Sequence, residues 1–127
     1  MAKAVGFGGV FLKARDPKAL SAWYAENLGI TSQYGSLIFE GPESTGTTVF
    51  SHFPADTKHF GDGDQPAMVN FRVDDLDALL VQLEAAGVKI DPKRDNADYG
   101  KFAWIWDAEG NRVELWEVAK EDESQAG

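Results

Sequence analysis

The 127-residue chain has no cysteine, which excludes disulfide frameworks, thiolate metal sites and cysteine nucleophiles and permits a reducing compartment. No apolar run approaches the ~20 residues that a membrane-spanning helix needs, and Met1-Ala2-Lys3 leads into strand-like sequence rather than a signal peptide. Basic residues are scarce. Twelve stand against 21 acids, and the formal net charge of −9 repels phosphate backbones and anionic lipid surfaces. Nucleic acid and membrane are therefore not expected as partners, and a cytoplasmic location is. With 13 glycines and 5 prolines, and with 43% hydrophobic and 26% charged residues, the composition is that of a single globular domain able to bury its own core.

Residues 4–14, AVGFGGVFLKA, have strand composition and run into Arg15-Asp16-Pro17. Asp16 can cap the orphan N–H groups of a helix whose first position Pro17 occupies at no cost in donors. From Lys18 to Leu28 the apolar residues, Trp23 and Tyr24 among them, fit a helical stripe, which predicts core or dimer contact for those two aromatics; Gly29 offers a left-handed stop. SLIFE and TTVFSHF then predict strands separated by GPESTG, and residues 54–66, PADTKHFGDGDQP, have the composition of a loop linking two halves, with His59 solvated in it. The pattern recurs. AMVNFRV is a strand, Asp74-Asp75 a cap, Leu76, Leu79, Leu80 and Leu83 a stripe, and Gly87 a stop. Ala14 and Val73 stand 59 residues apart, as do Asp16 and Asp75. After Gly87 the sequence predicts a strand at VKID, a loop through Tyr99-Gly100, a hairpin of KFAWIWD and RVELWEV around Ala108–Asn111, and a polar tail from Ala119. The expected fold is α+β: two βαβββ repeats, about 4–53 and 67–118, forming a curved, partly open barrel-like sheet with the helices outside.

The stretches FLKARDPKALSAWYAENLGI and VNFRVDDLDALLVQLEAAGV, with the closing DAEGNRVELWEV, make the chain resemble the vicinal-oxygen-chelate superfamily of glyoxalases, extradiol dioxygenases and bleomycin-resistance proteins. The resemblance covers nearly the whole chain. It implies a divalent ion held by four side chains, one on the first and one on the last strand of each repeat. Here those positions fall on Gly9, Met68 and Glu114, and on Phe50 when Gly46 is aligned with Gly110. Only Glu114 is a ligand. His52, two residues beyond Phe50, is the other candidate metal ligand or catalytic group, set against the plainer reading of a histidine on a surface edge. Two side chains fall short of the three or more that metal sites usually need, so no cofactor is expected, with a divalent ion as the lesser alternative.

If Gly9, Met68 and Glu114 point inward as the resemblance implies, strand alternation brings Phe11, Lys13, Asn70, Arg72, Arg112 and Trp116 with them, and Phe102, Trp104 and Trp106 line the preceding strand. An aromatic wall with a few convergent charges is the usual makeup of a small-molecule pocket. In that reading Lys13 and Arg72 bind a carboxylate or an enolate-like oxygen, and Glu114, its pKa raised by aromatic surroundings, is the general base. In the plainer reading one of the two cations pairs with Glu114. Two functions follow: a glyoxalase-like enzyme of lyase or isomerase type, moving a proton on a small carbonyl/carboxylate metabolite without the usual metal site, or a metal-free binding or resistance protein of bleomycin-resistance type that stacks an aromatic ligand. A homodimer is implied in either case.

Overall fold

The computed structural model describes residues 1–33, 36–39 and 48–119. The chain divides into two compact units, Gly6–Asn70 and Met1–Val5 with Phe71–Gly127. The expected α+β class is what the chain has: strand, helix and three strands, twice over. The GPESTG turn, with the Gly46 used to align the repeats, and the tail beyond Ala119 lie outside the described residues.

In the N-terminal unit, β1 (Ala4–Ala14) leads into α1 (Pro17–Leu28), followed by β2 (Thr31–Gln33), β3 (Ser36–Phe39) and β4 (Thr48–Pro54). Asp16 caps α1 as its sequence predicts, accepting from Ala19 N–H at 3.0 Å, and Gly29 ends it at φ 68° with its N–H on Ala25 O. The strands run in the order β2-β3-β4-β1, with β1 and β4 parallel. At Gly9 (φ 144°) a Cβ would stand 1.7 Å from Val49 O, so only glycine lets these two strands approach. No α1 residue is fully buried. Trp23 is 52% exposed and Leu28 62%, so neither belongs to a core in this chain, and of the two roles expected for Trp23 the core one does not hold. Tyr24 alone of the aromatic pair faces the sheet, edge-on to Phe50 at 4.8 Å.

In the C-terminal unit, the end of β5 (Ala67–Val73) precedes α2 (Leu76–Ala85), β6 (Ile90–Ala97), β7 (Gly100–Trp106) and β8 (Arg112–Val118). Leu76 and Leu79 pack with Val73, Ala103 and Leu115, the hydrophobic core of this unit. The start of α2 is fixed twice: Asp75 accepts from Ala78 N–H, and the carboxylate of Glu117 on β8 accepts from Leu76 N–H at 2.8 Å. Its end is a Schellman motif, with Val88 N–H on Leu83 O and Gly87 N–H (φ 80°) on Glu84 O. The loop expected through Tyr99 is instead mostly strand. Ile90–Ala97 pairs with β7, and its register shift between Ile90 and Arg94 accommodates Pro92 on a strand at the edge of this unit's sheet, the setting in which a missing N–H is tolerated. The β7–β8 hairpin forms as expected, its turn organised by Asp107, which accepts from the N–H groups of Glu109 and Asn111.

Candidate functional site

Alternation settles which face each candidate takes. In the C-terminal unit Val73, Ala103 and Leu115 point at α2, so Arg72, Phe102, Trp104, Trp106, Arg112, Glu114 and Trp116 take the opposite face, as the sequence predicts. Glu114 is 3% exposed there. Its direct cross-strand partner is Trp104, whose Nε1–H donates to Glu114 Oε2 at 2.9 Å. A buried carboxylate is thereby given a charge-assisted donor and a rigid apolar wall.

Trp104 is itself clamped. Lys93 Nζ lies 5.0 Å from its ring centroid and Arg112 Cζ 5.3 Å, and Arg112 sits equally far from Trp106. The buried Arg112 guanidinium is neutralised by Asp91 on β6, and the hydrogen bond from Arg112, followed by that from Lys93 N–H, holds the Asp91 carboxyl below the usual carboxylate range. Arg112 is therefore a strut between strands, and its partner Asp91 is the last residue of the VKID strand that the sequence predicts. Along the same face Phe102 and Trp116 stack at 5.7 Å and 9°, with Tyr99 edge-on to Phe102 and Trp116 Nε1–H donating to Tyr99 O.

In the N-terminal unit the two faces separate residues that the sequence reading grouped. Phe11 stands opposite Ser51 and Lys13 opposite Phe53, on the face turned from α1. Phe50 and His52 take the other face, beneath the helix: Ser21 Oγ lies 2.8 Å from His52 Nδ1, and Tyr24 stacks on the imidazole at 5.3 Å and 19°. His52 therefore cannot join Phe11 and Lys13 as a ligand or catalytic group. It is not an edge histidine either, since β4 lies between β1 and β3. The physical reason is the period of two, by which an alignment one residue out moves a side chain through the sheet. The inward residues of β4 are Ser51, hydrogen-bonded to Ser36 Oγ at 2.7 Å, and Phe53. Burial lowers the pKa of His52, and its Nε2 is buried without a hydrogen-bond partner among the described residues.

Met68 and Asn70, at the start of β5, are both buried. His59 is not solvated but half-buried, stacked on Phe53 at 4.9 Å and 6°. The available signal was Phe60: an apolar residue in an acidic loop must find cover, and it brings its neighbour with it.

The donor set does not fit the four-ligand ion that the resemblance implies. Gly9 and Met68 have no suitable donor, Phe50 faces α1, and no three His, Cys, Asp or Glu side chains gather as a possible ion site among the described residues. Nor, among those residues, is any helix long and apolar enough to cross a membrane.

Comparison with known proteins places this geometry. Among solved structures the chain is similar to methylmalonyl-CoA epimerase from Mycobacterium tuberculosis, with a TM-score of 0.70 and 22% identity, covering 98% of this chain and 93% of that one. It is similar to a variant of Streptomyces coelicolor methylmalonyl-CoA epimerase in complex with 2-nitronate-propionyl-CoA, at TM-score 0.73 and 14% identity over 92% and 99% of the two chains. It is also similar to the Mn(II)-bound glyoxalase from Novosphingobium aromaticivorans, at TM-score 0.64 and 20% identity, covering 96% of this chain but 43% of that one. At such identities the likeness is one of fold. No curated protein sequence matches. Residues 6–115 match the profile described as Glyoxalase/Bleomycin resistance protein/Dioxygenase superfamily, and the chain belongs to that superfamily.

Proposed function

We propose that the protein is a glyoxalase-like enzyme that moves a proton on a small carbonyl compound bearing a carboxylate, with Glu114 as the base and no step through a four-ligand metal site. One observation carries the reading: a carboxylate 3% exposed, oriented by the Trp104 indole on a face walled by aromatic side chains. In the step, Glu114 takes the proton from the carbon next to the carbonyl, the C–H electron pair becomes the enolate double bond as the carbonyl pair moves onto oxygen, and a proton returned to the original face gives only exchange whereas one delivered to the opposite face completes an isomerisation. Arg72, on the face turned from α2, is the cation assigned to the substrate carboxylate or the enolate oxygen. Phe102, Trp104 and Trp116 bound the apolar part of the substrate. Methylmalonyl-CoA epimerases among the fold neighbours make an acyl carboxylate a reasonable first substrate to try.

Deuterium exchange into a panel of 2-oxo acids and carboxyacyl thioesters, followed by NMR, tests this directly. Exchange is expected for at least one compound, with a loss of about 100-fold or more in Glu114→Gln, the scale of a general base. Exchange that persists unchanged in the variant would remove Glu114 from the mechanism.

A second reading is a binding or resistance protein that stacks an aromatic ligand, favoured by the parallel Phe102/Trp116 pair and its Tyr99 flank. Saturable quenching of tryptophan fluorescence by an aromatic ligand, in a protein that exchanges nothing, would select it.

A further inference from the structure

The strand β6 sends its cations to opposite sides of the sheet. Arg94 and Asp95 stand opposite Ala103 and Phe102 of β7, and Ala103 points at α2, so Arg94 takes the helix face, where it meets Asp77 at 3.1 Å. Lys93 takes the other face by alternation. The register shift between Ile90 and Arg94 re-aims it, and its backbone N–H donates to Asp91 Oδ1 at 2.9 Å. A lysine on an edge strand is ordinarily directed into solvent, where it guards the edge against other chains. Here Nζ lies instead 5.0 Å from the centroid of the Trp104 ring, an indole only 1% exposed, and Lys93 forms no ion pair among the described residues.

The same indole donates from Nε1 to Glu114 Oε2 at 2.9 Å. A cation over the face of an indole draws π density towards itself and leaves the N–H hydrogen more positive, so the cation–π contact and the hydrogen bond strengthen one another. Arg112 lies near the same ring but is neutralised by Asp91, which leaves Lys93 as the cation that acts on the indole without a bound carboxylate. We propose that Lys93 is a positioning residue: through the Trp104 indole it sets the strength of the bond that holds the Glu114 carboxylate in one orientation. The assignment deepens the reading of Glu114 as the base and rests on it.

The chain has four tryptophans, and their indole N–H signals in a proton–nitrogen correlation spectrum read this bond without any substrate. The Trp104 signal is the one lost in Trp104→Phe; should that variant not fold, Trp23→Phe, Trp106→Phe and Trp116→Phe assign it by elimination. Lys93→Met removes the charge and keeps a flexible apolar stem, and should move the Trp104 signal upfield, the direction in which Glu114→Gln moves it by weakening the acceptor. Lys93→Arg should restore it. The Trp116 indole, which donates to Tyr99 O, is the internal control and should stay in place. On any compound that the wild type exchanges, Lys93→Met should lower turnover about fivefold, the size of one exposed cation–π contact, with KM unchanged and Lys93→Arg close to the wild type. A Trp104 signal that ignores Lys93→Met, or that moves as far in Lys93→Arg, would overturn the assignment, as would exchange at the wild-type rate in Lys93→Met. A protein that exchanges no compound at all overturns the role of Glu114 instead, and the indole signals still decide whether Lys93 acts on Trp104.

Discussion

His52 shows how one side chain can be assigned the wrong chemistry by the right pattern. Its position two residues from Phe50 places the two rings on one face, and they do meet at 4.7 Å, but that face belongs to α1. There, protonation would put a second N–H into a pocket of Tyr24 and Phe50, and burial lowers the pKa for that reason. With the folded-state pKa below the ordinary histidine value of about 6.5, the unfolded chain takes up the proton first. The contribution is therefore fully present above that value and is lost as pH falls through the folded pKa. Thermal unfolding from pH 7.5 to 5 should show a falling Tm in the wild type and a shallower fall in His52→Gln; parallel curves would remove His52 as the cause. Trp104 is the counterpart on the other unit. Trp104→Phe keeps a ring but deletes the donor to Glu114, and a charge-assisted bond of this kind contributes about 1.5–3 kcal/mol, to be read in urea unfolding as a lower midpoint with unchanged slope.

The elements owe their limits to single residues, and two glycines separate conformation from space. Gly87 closes the Schellman motif at φ 80° with nothing within 4 Å of where a Cβ would stand, so Gly87→Ala should cost only the left-handed backbone, about 1–2 kcal/mol. Gly9 meets Val49 O as well, so Gly9→Ala must part β1 from β4 and should cost markedly more; equal losses in denaturant titrations of the two variants would contradict the parallel β1–β4 register. Both helix starts were legible as Asp16-Pro17 and Asp74-Asp75 because capping is local chemistry. Of strand β6 only the start was, at Ile90-Asp91 of VKID. IDPKRDNA has loop composition, and it becomes a strand through pairing with β7 across a register shift, which no local propensity encodes.

For the molecule as a whole, the donor set and the exposed apolar residues of α1 lead to two expectations. Addition of Mn(II), Zn(II) or Mg(II) to the metal-free protein should give no tight one-to-one binding by calorimetry, because Glu114 has no ligand partners at Gly9, Met68 or Phe50; stoichiometric binding abolished in Glu114→Gln would reverse that view. Light scattering should give about twice 13.9 kDa if, as we propose, the exposed Trp23 and Leu28 of α1 meet a second copy of the chain, and Trp23→Ser should then shift the mass towards the monomer. The sequence alone was enough for the doubled strand, helix and three strands, the two caps, the aromatic face around Glu114 and the loss of ion ligands, since these follow from periodicity, capping chemistry and residue identity. The placement of His52 beneath α1, the turn that lays His59 on Phe53, and the neutralisation of Arg112 by Asp91 came from the folded chain. Each depends on register and loop path between residues distant in sequence, and a shift of a single residue sends a side chain to the opposite side of a sheet.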